Sequence, residues 1–62
     1  KQKYFAHETA VIDENCQIGE GTKIWHFSHI MTGCVIGTNC NIGQNVVFSY
    51  THLRAHETAA NL

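Results

Sequence analysis

Six isoleucines, Ile12, Ile18, Ile24, Ile30, Ile36 and Ile42, stand at intervals of six residues. An α-helix repeats its buried face every ~3.6 residues and a flat strand every ~2, so neither calls for such a column. A hexapeptide period belongs to a parallel β-helix, in which each hexad forms one short strand and the stacking of coils creates the core. Four residues after each Ile sits something small or β-branched: Cys16, Thr22, Ser28, Cys34, Cys40 and Val46, with Ala10 extending the series backwards from Ala6. These side chains fit inside a narrow coil. Gly19, Gly37 and Gly43 directly follow an Ile, where a corner is expected to use backbone angles that other residues avoid. If three hexads close a triangular coil of about 18 residues, Ile12 stacks on Ile30, Ile18 on Ile36 and Ile24 on Ile42. The expected fold is therefore all-β, a hexapeptide-repeat parallel β-helix of roughly two complete coils.

The hexads resemble those of the left-handed β-helix acyltransferases, whose repeat is an aliphatic residue, often Gly next, and a small residue at the fifth place. A narrower resemblance runs through Tyr4-Phe5, His7-Glu8-Thr9, the segment from Gln17 to Ile30 containing Ile24-Trp25-His26-Phe27-Ser28-His29, and Asn39 to Val46. This stretch is similar to the N-terminal coils of bacterial sugar-nucleotide N-acetyltransferases that modify the 3-amino group of a UDP-linked diaminoglucuronic acid for surface polysaccharide, including lipopolysaccharide. The resemblance implies acetyl-CoA as acyl donor, a UDP-amino-sugar as acceptor, a homotrimer with active sites between neighbouring prisms, and no metal. It covers about residues 3–48.

After Phe48 the pattern breaks, because Arg54 falls on the next aliphatic place and His52 on the small place. The run Ser49-Tyr50-Thr51-His52-Leu53-Arg54-Ala55-His56-Glu57-Thr58 resembles the in-frame translation of a sequencing-library adaptor. The chain is accordingly divided into coils over residues 1–48 and a non-native tail over 49–62, with a genuine C-terminal helix as the alternative. A two-coil solenoid leaves both ends of its core open, and about 60 residues is marginal for a domain. The fragment alone is expected to fold poorly and to be inactive.

Composition removes several function classes. The formal net charge is −1 and the four cations are scattered, so no basic patch points to nucleic acid. Nothing approaches the ~18 apolar residues of a membrane span, and no N-terminal segment has signal-peptide form, so a cytoplasmic location is expected. All three cysteines fall on the inward small place, where Cys acts as a small hydrophobe. An odd count without a close pair also argues against a secreted disulfide framework.

Histidine carries the chemistry. Trp25 stands where Gly often follows the Ile, so one corner holds Trp25, His26 and Phe27 in place of small residues. Stacking at 18 residues sets His26 between Glu8 and Gln44, and Trp25 between His7 and Gly43. An aromatic and polar corner of this kind suits a sugar nucleotide, because rings stack on rings while His and Gln supply hydrogen bonds. His29 points outward between Val11 and Val47, on the most apolar of the three faces and hence the one expected to be buried between copies. Trp25, His26, His29 and Gln44 are the candidate substrate-binding residues, with His26 and His29 also able to handle a proton. The catalytic base and the cofactor-binding residues are left unassigned, and packing roles for both histidines remain open. Two other readings share the fold: a carbonic-anhydrase-like zinc enzyme using His26 and His29, which still lacks a third ligand, and a non-catalytic β-solenoid scaffold, disfavoured by the irregular outward column.

Overall fold

The computed structural model describes residues 3–49 and 52–60. Tyr50 and Thr51, inside the adaptor-like run, and Asn61 and Leu62 lie outside the described residues. Ten two-residue strands follow one another: β1 (Phe5–Ala6), β2 (Val11–Ile12), β3 (Gln17–Ile18), β4 (Lys23–Ile24), β5 (His29–Ile30), β6 (Val35–Ile36), β7 (Asn41–Ile42), β8 (Val47–Phe48), β9 (His52–Leu53) and β10 (Thr58–Ala59). They form three parallel sheets, β1-β4-β7-β10, β2-β5-β8 and β3-β6-β9, which are the three faces of a left-handed β-helical prism. No helix among the described residues is long and apolar enough to cross a membrane.

The columns stack in the expected register. Ile24 pairs with Ile42, Ile12 with Ile30, and Ile18 with Ile36. Ile24, Ile30, Ile36 and Ile42 are buried, while Ile12 and Ile18 pack against them from the first coil and are only half-buried. Thr22 and Ser28 occupy the small place and are fully buried without being orphaned. Thr22 Oγ1 donates to the Gly37 carbonyl at 2.7 Å and accepts the Cys40 N–H at 3.1 Å. Ser28 Oγ makes the same pair of bonds to Gly43 and Val46 one hexad later. Each hydroxyl thus ties its own coil to the next, satisfying polar groups that burial would otherwise penalise.

Two expectations are corrected. Gly19, Gly37 and Gly43 do not take left-handed angles. The left-handed position is the third after the inward residues from Ile12 to Ile42 and after Leu53, occupied by Asn15, Gly21, Phe27, Gly33, Asn39, Asn45 and His56 at φ between 54° and 83°. Glycine follows Ile for space instead, since a Cβ on Gly19 would lie 2.5 Å from the Gly37 carbonyl carbon and one on Gly37 2.6 Å from the Ala55 nitrogen. At Gly43 the nearest atom would be 3.5 Å away, so no such restriction applies.

The second correction concerns the frame after Phe48. Phe48 pairs with Ile30, but the next inward residue is Leu53 against Ile36, five residues on where every earlier step is six. The chain therefore keeps coiling through β9 and β10, with Ala59 paired to Ile42. Arg54 sits at an exposed corner and His52 points outward, so neither takes the inward place that an unbroken hexad assigns it.

Candidate functional site

The corner between the first face (β1-β4-β7-β10) and the second (β2-β5-β8) is built from His7, Glu8 and Thr9 in one coil, Trp25, His26 and Phe27 in the next, and Gly43, Gln44 and Asn45 in the third. The Trp25 indole folds back across the first face. Its Nε1–H donates to Asn41 Oδ1 at 2.8 Å, and its ring centroid lies 5.4 Å from that of Phe5 at a 54° tilt. Asn41 belongs to the coil above and Phe5 to the coil below. The indole consequently clamps three coils, and much of its surface serves the fold.

His26 is exposed and lies beside two rings. Its centroid is 3.9 Å from His7, tilted by 36°, and 6.4 Å from Trp25, nearly parallel at 17°. His7 is held by Thr9, whose backbone N–H donates to His7 Nδ1 at 3.2 Å and whose Oγ1 lies 2.9 Å from the same nitrogen. Thr9 Oγ1 also accepts the Phe27 N–H at 2.9 Å, which directs the hydroxyl proton toward His7. Because Nδ1 accepts, the hydrogen-bond network assigns neutral His7 its proton on Nε2. Gln44 is exposed in the same corner column, and its neighbour Asn45 donates its N–H to the His26 carbonyl at 2.9 Å.

His29 stands apart on the second face. It pairs in register with Val11 on one side and Val47 on the other, both exposed. Its Nε2 lies 3.0 Å from Asp13 Oδ1, with the side chains 39% and 35% exposed. At that exposure the contact adds little to stability. Its consequence is orientation: the carboxylate favours a proton on Nε2 and leaves Nδ1 as the acceptor of neutral His29.

The four predicted residues do not converge on one point. His26 and Gln44 share a corner, Trp25 is committed to the adjoining face, and His29 lies around the edge beside Asp13. Phe5, His7, Thr9, Asn41 and Asp13 were not among the predicted residues. Stacking at 18 residues places Thr9 beneath Phe27, which was a usable signal. The Trp25–Asn41 and His29–Asp13 contacts run diagonally between columns, at separations of 16 residues, and a column-by-column reading does not reveal them.

The cysteines behave as packing residues that also donate. Cys16 Sγ lies 3.1 Å from the Met31 carbonyl and Cys40 Sγ 2.9 Å from that of Arg54, each in the next coil. Burial, and then the neighbouring Cys16, pushes the Cys34 thiol above its ordinary range, which keeps it protonated and unreactive. No group of three metal-ligating side chains is found among the described residues. A cavity of about 440 Å³ opens near Val46, Phe48, Leu53 and Ala59, is lined by no histidine, and is the uncovered end of the core rather than part of this corner.

Residues 15–49 match the family described as bacterial transferase hexapeptide (six repeats). Among curated proteins the chain is similar to the acyl-[acyl-carrier-protein]--UDP-N-acetylglucosamine O-acyltransferases of Brucella ovis, Brucella canis and Brucella suis, with 31% identity over 45 residues in each case. Those 45 residues are 73% of this chain but 16% of each relative, so the match spans about a sixth of their length.

Proposed function

Because this chain belongs to the bacterial transferase hexapeptide family, we propose that the full-length protein transfers an acetyl group from acetyl-CoA to the amine of a UDP-linked amino sugar for bacterial surface polysaccharide. The observation that carries this reading is the exposed His26 imidazole, stacked on His7 and bordered by Gln44, on a prism of the transferase family. In the reaction a neutral amine attacks the thioester carbonyl. The nitrogen–carbonyl bond forms, the carbon–sulfur bond breaks, the amine proton passes to a base, and CoA leaves as its thiol. His26 binds the sugar nucleotide. His29, with Nδ1 free as an acceptor, is available either for the proton or for the interface. The Val11, His29 and Val47 face is the one we assign to contacts within a homotrimer, and the CoA-binding residues to coils outside this sequence.

A second reading is favoured by the named relatives, which act on UDP-N-acetylglucosamine with an acyl carrier protein as donor and oxygen as the acceptor atom. The same corner would then hold the sugar nucleotide, and only donor and acceptor atom would change. Residues 49–62 are proposed to be non-native, a reading supported by the family match ending at residue 49 and by Glu57 standing where the hexad otherwise places a small residue.

The test is kinetic and hydrodynamic, in the full-length protein. His26→Ala is expected to raise KM for the sugar nucleotide about tenfold with the trimer intact, the loss of one or two hydrogen bonds. His29→Ala is expected to shift the oligomer on size exclusion before it alters turnover. Unchanged kinetics and assembly in both variants would return both histidines to packing roles and overturn the assignment of this corner.

A further inference from the structure

Among the described residues, Phe27 is the one large hydrophobe in the left-handed column. The other six described residues with left-handed angles are Asn, Gly or His, and Phe27 adopts φ 57° among them. A left-handed angle crowds Cβ against the following carbonyl, which Gly avoids and a short polar side chain such as Asn offsets with local hydrogen bonds. Phenylalanine has neither remedy. Packing does not compensate either, since Phe27 is 66% exposed. The turn is instead held from both sides: the Phe27 N–H is fastened to Thr9 Oγ1 in one coil, and the preceding His26 carbonyl accepts the Asn45 N–H in the other.

A bulky residue kept in a strained position, with its ring in solvent, points to a contact outside the chain. The surroundings indicate its chemistry. Phe27 lies between Thr9 and Asn45 in its column, with exposed His26 before it and exposed Gln44 one coil away. An open aromatic face bordered by donors and acceptors suits a flat heterocycle, which stacks through its face and hydrogen-bonds through its edge. An apolar protein neighbour would strand those polar groups.

We propose that Phe27 is the stacking platform for the pyrimidine base of a nucleoside diphosphate sugar, with His26 and Gln44 at the polar edge of the base or its ribose. This rests on the reading of the corner as a sugar-nucleotide site and adds which part of the ligand is held there. The experiment uses Phe27→Asn and Phe27→Tyr in the full-length protein, with UDP-N-acetylglucosamine and the base-free N-acetylglucosamine 1-phosphate as probes. Phe27→Asn is expected to raise Tm by roughly 2–4 °C through relief of strain, and to weaken UDP-N-acetylglucosamine about tenfold. Binding of N-acetylglucosamine 1-phosphate should not change, and Phe27→Tyr should bind both probes as the parent does. Unchanged UDP-N-acetylglucosamine binding in Phe27→Asn, equal weakening of both probes, or a shift of oligomeric state in place of binding would each overturn the platform. A parent protein that binds neither probe would overturn the sugar-nucleotide reading itself, and the platform with it.

Discussion

The coil through Ile24, Ile30 and Ile36 and the one that follows Phe48 share a backbone path and differ in what they place along it. In the first, the inward isoleucines are buried and the hydroxyls of Thr22 and Ser28 reach into the coil above. In the second, Leu53 and Ala59 are only half-buried, Glu57 is exposed at the small place, and Arg54 is exposed at the corner. Both keep the ladder: Gly37 N–H bonds the Leu53 carbonyl at 2.8 Å, Asn41 N–H that of Glu57 at 3.0 Å, and Gly43 N–H that of Ala59 at 2.8 Å. Any sequence carries those backbone groups, so the ladder shows where a chain can lie. The apolar column decides how firmly it is held there.

The largest effect should separate the two coils by charge. Ile24 has no exposure, so Ile24→Asp places a carboxylate in the core with no partner, a cost of several kcal/mol against a typical total of about 5–15. We expect this chain not to fold with that substitution. Leu53→Asp, at a half-buried position, can turn its carboxylate to water and should lower stability by no more than about 1–2 kcal/mol in urea unfolding. Equal losses at both positions would break the comparison, showing the last coil to be as firmly packed as the one beneath it.

A middle-sized effect uses the same added methyl on the two sides of one coil. Gly19→Ala drives Cβ to 2.5 Å from the Gly37 backbone, against the coil whose Ile24, Ile30 and Ile36 are buried. Gly37→Ala drives it to 2.6 Å from the Ala55 nitrogen, in the coil with the depleted column. Overpacking costs about 1–3 kcal/mol where the neighbour cannot move. Gly19→Ala should therefore fall in that range and Gly37→Ala below it, with Gly43→Ala near neutral as the control. A larger loss at Gly37 than at Gly19 would reverse the ranking of the two regions.

The parts of this fold legible in the sequence are those that repeat. One column of isoleucines determined the strand spacing, the inward residues, and the placing of His29 between Val11 and Val47, because in-register stacking copies sequence period directly into space. The left-handed slot repeats as well, and Asn15, Gly21, Gly33, Asn39 and Asn45, at multiples of six residues from one another, mark it. The role of Gly19 was not legible in the same way, since close approach between coils depends on the residue opposite and not on the local turn. The slip from Phe48 to Leu53 was hidden for a related reason: a step of five residues in place of six displaces every later assignment while leaving the ladder intact. The site was the least legible. Trp25 to Asn41 and His29 to Asp13 depend on how long side chains lean across a face, which no column records.

The smallest effect reads how well the coil after Phe48 covers the one below. Burial raises the Cys34 thiol above its ordinary range, and its Sγ lies 3.5 Å from the Phe48 carbonyl overhead. The neutral thiol is the form the fold prefers, so unfolding releases a group that ionises more readily than it does in the native state. The stability tied to that preference is complete below the ordinary thiol pKa and is lost as pH rises through the raised native value. The slope cannot exceed about 1.4 kcal/mol per pH unit. Urea unfolding at pH 7.5, 9 and 10 should show the parent losing stability more steeply than Cys34→Ala, which is less stable throughout but lacks the titrating group. Parallel slopes would mean that water already reaches Cys34 in the native state. The chain after Phe48 would then follow the prism without sealing it, and the contrast between the two coils would be sharper than their shared ladder suggests.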